Sequence, residues 1–113
     1  MTEIWHNPRC SKSRATLAIL EERGEDVAVR RYLDDPPSEH ELRVALAALD
    51  VSPSKIIRKG EKLFKELGLT LDMADDQLIA AMVAHPILIE RPIVQKNGKA
   101  RMGRPPEGVI EIL

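Results

Sequence analysis

The sequence predicts an α/β fold built on a mixed sheet, in the order β-α-β, a helical insertion at about residues 38–84, then β-β-α. At the N-terminal end, a short apolar start is followed by an amphipathic helical pattern and a run of β-forming residues, which is typical of a parallel strand pair. Near the other end, Asn97-Gly98 stands between two short β-like runs, the strongest local signal for a hairpin. We therefore expect the first two strands to be parallel and the last two antiparallel. A last helix is expected after Pro105-Pro106.

The first β-α-β unit has a signal at each of its boundaries. Ile4-Trp5-His6 begins a strand, and the helix that follows takes its apolar residues from Ala15, Leu17, Ala18, Ile19 and Leu20. That helix is expected to end near Gly24, because glycine suits the left-handed position after a helix. Residues 27–33 are rich in β-forming side chains and predict the second strand.

Helix signals continue through the insertion. Ser38 with Glu41 three residues later predicts a capping box at the start of a helix. Ser52-Pro53 starts a short helix that is expected to stop near Gly60, since serine is a good cap and proline suits the first turn. Asp75-Asp76 favours the start of a further helix, because carboxylates are stabilised at a helix N-terminus.

The composition points to one domain, residues 1–113, and narrows the class of protein. The chain has 113 residues, of which 43% are hydrophobic, and a formal net charge of −1, so its overall charge gives no reason to expect nucleic-acid or membrane partners. No apolar run of about 18 residues predicts a transmembrane span, and no signal peptide is expected. A single cysteine excludes an internal disulfide, and we expect a cytoplasmic location.

Cys10 carries the strongest chemical signal. It lies in the run His6-Asn7-Pro8-Arg9-Cys10-Ser11-Lys12-Ser13-Arg14, at the expected start of a helix. A helix N-terminus and nearby cations lower the pKa of a thiol, and Arg9, Lys12 and Arg14 supply cations by sequence. The alternative is a buried cysteine that acts as a small apolar residue, but the polar and charged flanks argue against burial.

Two well-known cysteine motifs are missing one residue each. A dithiol redox motif needs a second cysteine where Ser13 stands, and a phosphatase loop needs an arginine where Thr16 stands. What remains is a monothiol arrangement in which the Ser13 hydroxyl could hydrogen-bond the thiolate. His6 either orients the thiolate or is an ordinary histidine at a strand end, and the sequence leaves both open. No metal site is expected, because no group of ligands has the usual spacing.

Arg58, Arg91 and Arg104 are candidate anion ligands. Each lies beside a backbone breaker and not in the middle of a solvated helix face. Guanidinium groups that converge would form an oxyanion pocket, because each presents a planar fork to oxyanions. Spacing alone does not show that they converge, and most arginines are surface residues.

The chain resembles the glutaredoxin-coupled arsenate reductases over nearly its whole length. The residues that carry the resemblance are His6 to Arg14, Ile57-Arg58-Lys59, Lys65-Glu66-Leu67-Gly68-Leu69, His85 to Val94, and Gly103-Arg104-Pro105. The resemblance implies a thioredoxin-like fold with a helical insertion, attack of Cys10 on arsenate, and a cis Arg91-Pro92 bond.

The same resemblance implies the roles of the other candidates. Arg58, Arg91 and Arg104 are expected to bind the oxyanion. His6 and Ser13 are expected to tune the thiol, with Arg14 as a neighbouring cation.

The activity implied is the reduction of arsenate, or of another small oxyanion, with glutathione as co-substrate, glutaredoxin as partner and no bound cofactor. A lone thiol needs an external thiol to complete a redox cycle. Two alternatives stay open. One is a glutathione-linked monothiol oxidoreductase with a different substrate. The other is a non-catalytic, redox-responsive regulator that binds RNA polymerase, although such regulators typically use a Cys-x-x-Cys motif, which Ser13 contradicts.

Overall fold

The computed structural model describes residues Met1–Leu113, which form two compact units. The first unit comprises Met1–Asp35 and Arg91–Leu113, and the second comprises Pro36–Glu90. None of the helices combines the length and the apolar character that a membrane crossing requires. The expectation that the whole chain is one domain stays a prediction.

A four-stranded mixed sheet forms the frame of the first unit. Its elements are β1 (Thr2–Trp5), α1 (Ser11–Glu22), β2 (Val27–Arg30), β3 (Ile93–Lys96), β4 (Lys99–Met102) and a 3-10 helix, Pro106–Ile112. The strand order is β2-β1-β3-β4, with β1 parallel to β2 and antiparallel to β3, and β3 antiparallel to β4. This confirms the parallel first pair and the antiparallel hairpin.

The hairpin turns at the predicted dipeptide. Asn97 and Gly98 have φ values of 50° and 76°, as a two-residue turn matched to the twist of the strands requires. The register pairs Lys96 with Lys99 beside the turn and Ile93 with Met102 at the open end. Residues just before β3 and just after β4 therefore lie next to each other.

The core of the first unit is aliphatic. Fully buried Ile4, Leu20, Val94 and Val109 pack together, so one cluster joins β1, α1, β3 and the 3-10 helix. Further apolar residues pack around this cluster: Leu17, Ile19, Val27, Ile112 and Leu113. This packing holds α1, which begins beside Cys10, against the sheet.

The second unit is helical. It contains α2 (Glu39–Leu49), α3 (Lys62–Glu66) and α4 (Asp75–Ala84), with short 3-10 turns at Pro53–Lys55 and Pro86–Leu88. The capping box predicted at Ser38 and Glu41 is present. Arg43 of α2 pairs with Glu39 at 3.1 Å and with Asp76 of α4 at 2.9 Å, which ties these two helices together at the surface.

One predicted helix is much shorter than expected. The helix predicted from Ser52 to Gly60 is a single 3-10 turn, Pro53–Lys55. The following residues pair instead with residues 88–90: Ile57 forms an isolated antiparallel bridge with Ile89, and the Arg58 N–H donates to the Leu88 carbonyl at 2.7 Å. These non-local hydrogen bonds replace the ones that a longer helix would have made.

Two other boundaries differ from the prediction. The strand expected over residues 27–33 ends at Arg30, because the N–H groups of Asp34 and Asp35 turn back to the Arg31 carbonyl at 3.0 and 2.9 Å. The last helix, Pro106–Ile112, is of the 3-10 type.

Candidate active site

Cys10 lies at the start of α1, as the sequence predicts. It occupies the N-cap position with extended backbone angles, φ −94° and ψ 122°. Its N–H donates to the Asn7 carbonyl at 3.0 Å, and its carbonyl accepts from the Arg14 N–H at 3.0 Å. The residue is partly exposed, which argues against a buried cysteine that acts only as a small apolar residue.

The surroundings of Cys10 favour its thiolate. Partial burial raises the pKa of the thiol, but this effect is outweighed, and the pKa lies below its usual value. The Ser13 N–H, the positive charge of Arg91, the Lys12 N–H and the positive charge of Arg104 each lower it. A thiolate is the nucleophilic form of cysteine, so this site is suited to attack on an electrophile.

Arg104 lies beside the sulfur and is held there by Arg91. Its Nη2 is 4.0 Å from Cys10 Sγ, and its Nε donates to the backbone carbonyl of Arg91 at 2.9 Å. The structure thus brings two of the three predicted arginines near the thiol. A guanidinium beside a thiolate is suited to binding an oxyanion that the sulfur attacks.

Two proline bonds flank this part of the site. The Arg91-Pro92 bond is cis, which confirms the prediction. The Arg104-Pro105 bond is also cis, which was not expected from the sequence.

His6 and Ser13 form a buried pair next to the loop. His6 Nδ1 lies 2.7 Å from Ser13 Oγ, which also accepts the Asn7 N–H at 3.0 Å. Burial, followed by the positive charges of Arg31 and Arg14, lowers the pKa of His6. Nδ1 of the neutral ring can therefore accept a hydrogen bond from the Ser13 hydroxyl.

Ser13 contributes to the site in two ways. Its hydroxyl is engaged by His6 and by the Asn7 N–H, whereas its own backbone N–H lowers the pKa of Cys10. The sequence allows a hydrogen bond from the hydroxyl to the thiolate, whereas in the structure Ser13 acts on the sulfur through its backbone N–H. The role of His6 and Ser13 in tuning the thiol stays a prediction.

Arg14 supports the loop that precedes Cys10. Its Nη1 donates to the Pro8 carbonyl at 2.9 Å, and its charge lowers the pKa of His6. The backbone N–H of Arg9 donates to Asn7 Oδ1 at 3.0 Å within the same loop. Arg14 therefore holds the loop backbone, and its predicted effect on the thiol stays a prediction.

Arg58 belongs to the second unit, where its guanidinium has two partners. Nη1 donates to the Ile87 carbonyl at 3.2 Å, and Nη2 pairs with Glu61 at 3.2 Å. The side chain is 22% exposed. Its part in anion binding stays a prediction.

The sequence did not predict the close contact between Gly103, the neighbour of Arg104, and Thr16 of α1. Gly103 lies within a block that carries the resemblance, but the resemblance implies a role only for Arg104 of that block. Thr16 stands where a phosphatase loop would need an arginine, and the sequence gives it no other role. Both residues are buried in the structure, and their contact joins segments 87 residues apart in number, which no local pattern reveals.

The family model described as the ArsC family matches residues 5–112. The chain belongs to the ArsC family. This confirms the resemblance read from the sequence. No group of three or more His, Cys, Asp or Glu side chains is placed to hold a metal ion in this ArsC-family chain.

Several relatives match the chain over nearly their full lengths. A protein from Neisseria meningitidis named arsenate reductase is 47% identical, over 98% of this chain and 97% of the relative. An Escherichia coli K12 protein named "Uncharacterized protein YfgD" is 49% identical, over 98% and 95%. The structure named arsenate reductase from Vibrio cholerae superimposes with a TM-score of 0.95 at 51% identity, over 99% of this chain and 97% of that one. The thioredoxin-like ArsC fold class is confirmed.

Proposed function

We propose that this protein reduces arsenate to arsenite, with Cys10 as the nucleophile. The observation that carries the proposal is the 4.0 Å approach of the Arg104 guanidinium to the Cys10 sulfur at the start of α1. A cation and free helix N–H groups beside a thiolate suit a substrate that is both anionic and electrophilic. Relatives of nearly equal length that are named arsenate reductases support this choice of oxyanion.

In the first step, the Cys10 thiolate attacks the arsenic atom. A sulfur–arsenic bond forms, and one oxygen leaves as water after it has been protonated. Arg91 and Arg104, whose positive charges already act on the Cys10 thiol, are proposed to balance the negative charge of the oxyanion. Arg58 is assigned as a further anion ligand by the family resemblance.

In the second step, the thiolate of glutathione attacks the Cys10 sulfur. A sulfur–sulfur bond forms, the sulfur–arsenic bond breaks, and its electron pair stays on arsenic, which is reduced from As(V) to As(III). Cys10 is left as a mixed disulfide, which a glutaredoxin reduces by thiol–disulfide exchange. The external thiol is required because Cys10 is the single cysteine of the chain. We propose a cytoplasmic location, because reduced thiols such as glutathione are maintained there.

The test is the production of arsenite from arsenate in the presence of glutathione and glutaredoxin. The wild-type protein is expected to show saturable turnover, which stops when either glutathione or Cys10 is removed. Cys10→Ser is the matched variant, because it exchanges only the sulfur. Arsenite formation by Cys10→Ser at the wild-type rate would exclude the mechanism. Wild-type protein that reduces glutathione mixed disulfides but not arsenate would support the monothiol oxidoreductase instead.

A further inference from the structure

We infer that Gly103 is a positioning residue of this site. Its missing side chain lets the backbone just after β4 lie directly against Thr16 of α1 and against Pro92, and this contact sets Arg104 beside Cys10. The inference concerns the placement of Arg104, and it rests on the proposed function only for the identity of the anion.

The space at Gly103 is too small for any side chain. A Cβ atom there would lie 2.2 Å from Thr16 Oγ1, 2.7 Å from Pro92 Cγ and 3.1 Å from Thr16 Cβ. Ordinary van der Waals contact for such an atom begins at 3.4 Å. Gly103 does not have a positive φ, so the need for glycine comes from the close approach and not from its backbone conformation.

The atoms that surround Gly103 cannot easily move. Thr16 is fully buried, and its Oγ1 donates to the Lys12 carbonyl at 2.8 Å, which fixes the rotamer. Pro92 is buried, and its ring is rigid. An added methyl group would therefore displace the backbone of Gly103 and would not be accommodated by a side-chain rotation.

The backbone of Gly103 is coupled directly to the arginine beside the thiol. The Gly103 N–H donates to the Pro92 carbonyl at 3.0 Å, and the next residue, Arg104, donates from Nε to the Arg91 carbonyl at 2.9 Å. These two bonds hold residues 103–104 against residues 91–92. Displacement of Gly103 would therefore move the Arg104 guanidinium.

The other side of the contact belongs to the helix that carries the thiol. Thr16 lies on α1, whose N-cap is Cys10. Gly103 therefore holds the segment that carries Arg104 against α1, the helix that begins at Cys10. No side chain separates this segment from the helix. A misplacement of about 1 Å can cost about a hundredfold in rate, so this close contact matters for the chemistry.

The experiment compares Gly103→Ala with three other variants. Gly108→Ala is the matched control, because a Cβ there meets only the Arg101 side chain and a carbonyl, at 3.4 Å or more. Thr16→Ala removes the hydroxyl that blocks a Cβ at 103. The double variant Gly103→Ala/Thr16→Ala tests whether that removal restores the site. Circular dichroism and thermal unfolding show which variants fold.

The first measurement is the pH midpoint of Cys10 alkylation by iodoacetamide, and the second is protection of Cys10 by sulfate. Neither needs arsenate turnover, so the inference can hold even where the proposed function fails. Gly103→Ala is expected to raise the midpoint and to weaken sulfate protection about tenfold or more. The double variant should recover part of both changes, and Gly108→Ala should match the wild type.

A folded Gly103→Ala protein with the wild-type midpoint and wild-type sulfate protection would overturn the inference. Where Gly103→Ala does not fold, Thr16→Ala decides, because it removes the surface on which Gly103 rests and creates only a small cavity. Thr16→Ala is then expected to change both measurements in the same direction by a smaller amount. A Thr16→Ala protein equal to the wild type in both would overturn the inference.

Discussion

Arg104 Nε donates a 2.9 Å hydrogen bond to the backbone carbonyl of Arg91, 13 residues earlier in the chain. With Nε engaged in this way, the guanidinium plane is oriented, and Nη2 faces the Cys10 sulfur at 4.0 Å. One side chain thus makes two different contacts through two different nitrogens. Lysine has a single ammonium group and cannot reproduce both contacts.

Replacement of Arg104 by lysine or alanine is therefore expected to weaken anion binding. A hydrogen bond to a charged group contributes about 1.5–3 kcal/mol, so the KM for arsenate should rise about tenfold to a hundredfold in Arg104→Ala. Arg104→Lys keeps the charge but loses the fixed orientation, and its KM should lie between those of wild type and Arg104→Ala. Steady-state kinetics with saturating glutathione and glutaredoxin measure both. An Arg104→Lys protein with the wild-type KM would show that a positive charge at this position is enough for anion binding.

The reactivity of Cys10 should persist to lower pH than that of an ordinary thiol. Partial burial opposes ionisation, but the N–H groups of Ser13 and Lys12 and the charges of Arg91 and Arg104 outweigh it, so the pKa is lowered. The thiolate is lost only as the pH falls through this lowered pKa. The rate of alkylation as a function of pH gives the midpoint.

Salt offers a check on the cause of that lowered pKa. At about 1 M salt the charges of the arginines are screened, and the midpoint should rise, whereas the backbone N–H contributions should persist. Cys10→Ser, which has no other cysteine, is the blank. A midpoint equal to that of free cysteine at both salt concentrations would contradict the expectation.

Removal of the Ser13 hydroxyl should destabilise the protein. Ser13→Ala takes away the partner of buried His6 Nδ1 and the acceptor of the Asn7 N–H. An unsatisfied buried polar group costs about 1–3 kcal/mol, and urea denaturation should show a loss of that size in the free energy of unfolding. Ser54→Ala, whose hydroxyl contacts that of Ser52 at the surface, serves as the control and should lie within about 0.5 kcal/mol of the wild type.

Replacement of Arg58 tests the one predicted anion ligand that lies in the second unit. Arg58→Ala is expected to raise the KM for arsenate about tenfold or more, because the family resemblance assigns Arg58 a charge-assisted contact to the substrate. Arg43→Ala is the matched control, since Arg43 belongs to the same unit and pairs at the surface with Glu39 and Asp76. Equal KM values for the two variants would remove Arg58 from the set of anion ligands.

Local signals predicted much of the fold. The left-handed turn at Asn97-Gly98, the capping box at Ser38 and the end of α1 before Gly24 all depend on residues close together in the chain, and all are present. The helix expected up to Gly60 failed for the opposite reason. The Arg58 N–H and the Ile56 carbonyl pair with residues 88 and 90, and no short window of sequence contains both partners.

The candidate site divides in the same way. The position of Cys10 at a helix N-cap follows from its own neighbours and was predicted. The approach of Arg104 to Cys10 joins residues 94 apart in number, and only the family resemblance suggested it. The sequence held one signal for the proximity of Arg91 to Arg104. The predicted hairpin lies between them, and residues at the open end of a hairpin lie side by side. The contact of Gly103 with Thr16 has no such signal, since it depends on how the residue that follows β4 packs against α1.

Arg91 and Arg104 lie side by side because β3 pairs with β4. Their proximity does not depend on the length of the hairpin between them. Both arginines lie just outside the open end, where Ile93 pairs with Met102, and the turn lies at the far end. Matched additions of two residues to each strand would move the turn outward and leave the open end unchanged. A single added residue would reverse the faces of one strand. Related chains can therefore lengthen this hairpin symmetrically and keep Arg91 beside Arg104, whereas an odd insertion in one strand would turn the side chains beyond it to the opposite face.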